Sequence, residues 1–185
     1  MGVTHFSGVS VTDRNSSIGQ KDVIDRVKVI RIQYSDGTGE IDTGWDLPST
    51  AVVEDVFVNV ITAEATGSTK TIDVGLLSTE SGGDADGLLD GISVASTGLK
   101  GPSLTVTETT GTNERYISAV TSTYGVLLGQ LDYELGTDTA GDTGYANLVP
   151  KRHINTNGNS ISWTPGSNDF AELVADIIIL YKEIV

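Results

Sequence analysis

Cysteine is absent from the chain, which excludes disulfides, zinc–thiolate sites and a cysteine nucleophile. Histidine occurs only at His5 and His153, too few for a three-histidine catalytic zinc. The phosphate-cradling patterns GxxxxGK[ST] and GxGxxG do not occur, so nothing supports a nucleotide site. Basic side chains are scarce: 11 Lys and Arg face 25 Asp and Glu, a formal net charge of −14. Such a surface repels nucleic-acid phosphates and anionic lipid alike, so neither nucleic acid nor membrane is an expected partner. Long hydrophobic runs are missing too. The most apolar stretch, "VADIIILY" at 174–181, falls far short of the ~20 residues of a spanning helix. The opening "MGVTHFSGVSVTDRNSS" has no basic region followed by an apolar one. A soluble protein without a signal peptide is expected.

What remains is β texture. Glycine is abundant (22), proline sparse (4), and short apolar runs alternate with turn residues. "RVKVIRIQY" at 26–34 reads as a strand whose apolar side swaps between Val29 and Ile30, which suggests a bulge or twist there. In "VVEDVFVNVITAEA", 52–65, Val56, Val58 and Val60 share one face, while Asp55, Phe57, Asn59 and Ile61 share the other. After "TGSTK", Ile72, Val74 and Leu76 again share a side, so the two runs are expected to form a hairpin. "HINTNGNSISWT" reads as two short strands across Asn157-Gly158, a strong hairpin signal. The close, "DFAELVADIIILYKEIV", would start a helix well at Asp169. Its run of three isoleucines loses rotamer freedom in a helix and favours a strand, apolar on both faces and therefore central. "GTDTAGDTG", 136–144, is expected to be a loop.

About eight to ten short strands with turns between them predict an all-β chain, a jelly-roll-like antiparallel β-sandwich over 23–185. Residues 1–22 lack a core pattern and read as an extended N-terminal arm that orders against a partner.

One stretch invites a functional reading. "SGGDADGLLDG", 81–91, holds three aspartates and four glycines. Counted from Asp84 as an EF-hand loop, Asp86 fits position 3, but Leu88, Leu89 and Ala95 occupy positions 5, 6 and 12, so the template fails. The glycine-rich calcium repeat fails as well, since Ala85 replaces a glycine and nothing repeats. Asp84, Asp86 and Asp90 remain weak candidates for a cation held with backbone carbonyls. More plainly, the stretch is a Gly/Asp connection that returns to the core through Leu88 and Leu89.

Catalytic constellations are thin. "GISVA" around Ser93 resembles a nucleophile elbow but lacks the following helix. Glu54 with Asp55, or Asp132 with Glu134, are carboxylates of the kind a glycosidase uses, though most such residues face solvent. Trp45 and Trp163 are expected in the core or an interface. "NSS" at 15–17 matches a glycosylation sequon, a short and common pattern.

Taken together, "THFSGVSV" at 4–11, "TIDVGLLSTESGGDADGLLDGISVA" at 71–95, "ERYISAVTSTYGVLLG" at 114–129 and the closing "ILYKEIV" resemble capsid decoration (cement) proteins of tailed bacteriophages. The resemblance implies a jelly-roll, non-enzymatic part of the virion exterior, made in the host cytoplasm. It implies a homotrimer that binds the major capsid protein, some members using an N-terminal latch. It brings no catalytic residue, cofactor, metal or small-molecule substrate. The alternative is a receptor-binding or fibre-tip adhesin domain recognising a host glycan. A glycoside-active enzyme is a third and weaker class.

Overall fold

The computed structural model describes residues 23–110, 115–134 and 145–184, with side chains omitted at 108–120 and 130–150. The expected arm (1–22, with His5 and the sequon) and the loop at 136–144 lie outside the described residues.

Among the described residues there are thirteen strands and no α-helix. The first sheet contains β1 (Val23–Gln33), β13 (Val174–Ile184) and β3 (Ala51–Thr62), with β11 (His153–Ile154) and β6 (Gly98–Lys100) both paired to β3. The second runs β2 (Ile41–Asp46), β12 (Ser160–Pro165), β4 (Thr71–Leu76) and β5 (Asp84–Ser93). Two hairpins stand apart: β7 (Leu104–Thr110) with β8 (Arg115–Ser122), and β9 (Gly129–Glu134) with β10 (Tyr145–Pro150). All pairings are antiparallel, and they nest: β1 with β13, β2 with β12, β3 with β6, β4 with β5.

Period-two alternation builds the core. Ile30 and Ile32, then Val56, Val58 and Val60, then Ala175, Ile177 and Ile179 turn inward from the first sheet. Ile72, Val74, Leu76, Leu88, Leu89, Ile92, Ile161 and Trp163 meet them from the second. The two faces anticipated for 55–61 are those observed: the valines are buried, and Asp55, Phe57 and Asn59 are half-exposed. The C-terminal run is a strand, central in its sheet. Trp163 is core, and Trp45 packs at 5.8 Å on Tyr181.

Three local expectations are corrected. β3 and β4 are not a hairpin, because each pairs within a different sheet and 63–70 crosses between them. β11 and β12 likewise part across Asn157-Gly158 into different sheets. Alternation gave the faces of β3 and β4 correctly, but β3, β4 and β12 are interior strands whose partners come from other parts of the chain. The third concerns Val29 and Ile30: β1 pairs with β13 in unbroken register. The swap has a simpler cause, for Val27 and Val29 lie on the outer face at 62% and 53% exposure.

Candidate functional site

The aspartate-rich stretch is a strand. Asp84 opens β5 opposite Leu76, and the register jumps so that Leu89 opposes Val74. The surplus residues between these points form a bulge, while Leu88 and Leu89 enter the core as expected. Three features make that bulge. Gly75 has no side chain, and a Cβ there would sit 2.0 Å from the Asp84 carbonyl. Leu127 donates its N–H to the Gly87 carbonyl at 2.8 Å, and Gly125 donates to Leu88 at 3.1 Å. Gly83 donates to Glu80 at 2.9 Å, closing the preceding turn.

The bulge gathers like charges. Burial and a hydrogen bond with Asp86 push the Asp84 carboxyl up to about 6. Burial, with Asp86 nearby, also raises Asp90. Burial raises Asp73 on β4 despite the Gly91 N–H donated to it at 2.7 Å. Yet among the described residues no three His, Asp or Glu side chains converge as metal ligands. Asp84, Asp86 and Asp90 are therefore brought near one another without forming a cation cage.

The most strongly held carboxylate is one that sequence reasoning passed over. Glu64 is fully buried in the crossing between the sheets. Its Oε1 accepts from the N–H of Thr66 at 3.0 Å, the Thr66 hydroxyl at 2.8 Å and the N–H of Gly67 at 3.1 Å. Its Oε2 accepts from Ala171, Glu172 and Leu173 N–H at 3.0–3.1 Å. Burial alone would raise its pKa. The donated hydrogen bonds outweigh that and pull it down to about 2. The only local hint was Thr66-Gly67 following an acidic residue. The other three donors lie more than a hundred residues away.

The outer surfaces of the two sheets differ. On the second, Ser162 donates to Glu40 at 2.8 Å and Ser160 donates to Asp42, so carboxylates cover both buried serines of the central strand. With Asp73, Asp84, Asp86 and Asp90 this surface is polar and acidic. On the first sheet, the residues alternating with the core set are Val27 and Val29 of β1, Ile178 and Leu180 of β13, and Phe57 of β3. Val29 faces Ile178, which faces Phe57; Val27 faces Leu180. The side chains around them are paired: Arg31 with Asp176, Lys182 with Glu54 and Asp25, Arg152 with Glu54.

Among the described residues, Ser93 and His153 are held in different sheets. Ser93 ends β5, whereas His153 lies on β11 in the other sheet, its Nε2 buried without a partner and its pKa lowered by burial. Glu54 is held by Lys182 at 2.7 Å. Asp55, raised by burial, accepts from the Val56 N–H at 2.9 Å. The side chains of Asp132 and Glu134 lie outside the described residues. A groove of about 360 Å³ runs between β1 and β2, lined by Arg31, Asp36, Asp42 and Trp163. No helix of the described residues is long and apolar enough to cross a membrane. Comparison with protein-family models, with curated proteins and with solved structures finds no match.

Proposed function

We propose that the chain is a jelly-roll decoration protein of a tailed-phage virion, a non-enzymatic part that binds the outside of the shell through the major capsid protein and stabilises it as a homotrimer. The strand order carries the proposal. Leaving out β7 to β11, the eight remaining strands pair first with last, second with next to last, and so inward: β1–β13, β2–β12, β3–β6, β4–β5. A long hairpin rolled in this way gives two four-stranded sheets in interlocked Greek keys, the architecture of viral capsid and lectin domains. Fold alone does not choose among functions. Two further features favour a binding part: the phrase-level resemblance to cement proteins, and a free edge. Among the described residues β1 pairs only with β13, which leaves the other side of this eleven-residue strand without a described partner and suited to strand addition. Residues 1–22 lead into that strand, which suits an arm that docks on the shell.

Removing residues 2–20 and measuring co-sedimentation with expanded capsids tests the arm. Binding should fall at least tenfold. Full-strength binding by the shortened chain would eliminate the latch, and failure of the intact chain to co-sediment would eliminate the shell as partner.

A further inference from the structure

We infer that the outer face of the first sheet, centred on Val29, Ile178 and Phe57, docks a second copy of this chain. The inference deepens the oligomeric part of the preceding proposal and stands or falls separately from shell binding. Strands β1, β13 and β3 place Val27, Val29, Ile178, Leu180 and Phe57 side by side, and Leu99 (64% exposed) lies beside this group on β6, opposite Asn59. Val27 and Val29 are exposed, and Phe57, Ile178 and Leu180 are partly exposed. A sheet apolar on both sides is ordinary where both sides are covered. Here one side covers the core and the other faces outward.

Charge selects the occupant. The chain carries −14 overall, so a second copy is repelled by most of its surface. On this face three cations (Arg31, Arg152, Lys182) stand against four carboxylates (Asp25, Glu54, Asp55, Asp176), a balance of 3 − 4 = −1. Six of those seven are paired with one another, leaving Asp55 to bond its neighbouring N–H. An apolar centre within a rim of compensated charges is the usual anatomy of an interface. Because these charges are compensated within one chain, a neighbouring copy can cover the face without burying an unpaired cation. Extent agrees. Eleven residues at ~3.4 Å on the three long strands, ~4.8 Å apart, give roughly 540 Å² before the short β6 and β11 are added, of the order of the ~800 Å² per partner of a stable complex. Stacked sheets pack ~10 Å apart, a spacing these side chains span.

The test is the mass of the full chain in solution, by light scattering and sedimentation at micromolar concentration. The expected mass is a multiple of 19.4 kDa that persists in ~1 M salt, where the Debye length is ~3 Å and charge repulsion is screened. V27E combined with V29E should reduce it to a single chain. Both positions are exposed, so a melting curve should show the fold retained. Val126→Glu, equally exposed but between Gly125 and Leu127, which bond to β5 of the second sheet, should leave the assembly intact. A monomeric wild type, an oligomer untouched by the V27E/V29E pair, or one dispersed by salt overturns the inference. So does a monomer whose capsid co-sedimentation the V27E/V29E pair abolishes, because the face would then belong to the shell.

Discussion

Two short acidic, glycine-containing stretches in this molecule have opposite electrostatic fates. "EATGST", which crosses from β3 to β4, brings one carboxylate, and five backbone N–H groups and a hydroxyl converge on it. "SGGDADG", which leads into β5, brings two aspartates against each other with a third and fourth nearby. Burial opposes the charged form in both. Donors reverse that penalty at Glu64, and like charges add to it at Asp84. What a buried acid does for the fold is decided by what faces it, not by how many acids stand in a row.

The sharpest way to break the contrast is Glu64→Ala. It leaves five N–H groups without their acceptor and cuts the tie between 64–67 and 171–173. A loss of about 4 kcal/mol is expected, at the extreme of single substitutions, measured by denaturant unfolding. The counterpart at the other site is steric. In Gly75→Ala the new Cβ would collide with the Asp84 carbonyl, and backbone cannot swing aside as a flexible side chain does. About 3 kcal/mol should be lost, with chemical-shift changes in NMR spectra concentrated in β4 and β5.

pH separates the two carboxylates by sign. The folded pKa of Glu64 lies below its unfolded value, so its contribution is complete above pH 4.5 and is lost as pH falls towards 2. Glu64→Gln should therefore cost about 2 kcal/mol above pH 4.5, and the gap between variant and wild type should close near pH 2. A gap independent of pH would mean that the charge is not what the donors hold. At Asp84 the folded pKa is raised, so stability falls as pH climbs from about 4 to about 6. The smallest expected effect is Asp86→Asn, which removes the opposing charge. It should gain about 1 kcal/mol at pH 7, after discounting for solvent screening, and nothing at pH 4. A loss at pH 7 would show that something offsets the repulsion within the pair, a bound cation included.

The β-rich character, the faces of β3, β4 and β13 and the core role of Trp163 were legible in the sequence, because alternation and β-branching act within a few residues of chain. Strand partnership was less legible. Asn157-Gly158 signals a turn, but the two strands it joins enter different sheets. The aspartate stretch was mistaken for a loop because its composition is that of a turn. Packing of Gly75 beneath it and N–H donation from 125–127 hold it extended. Glu64 gave almost no sign, since half of its donors come from the far end of the chain.

By itself, then, the sequence determined the class of fold, the acidic surface and the lack of cysteine chemistry, all of which are properties of composition and short-range pattern. Only the tertiary structure decided which sheet each strand joined, which acid is clamped and which is crowded, and that the apolar outer residues of β1, β13 and β3 form one continuous face. Those depend on contacts between residues far apart in the chain, where no local rule reaches.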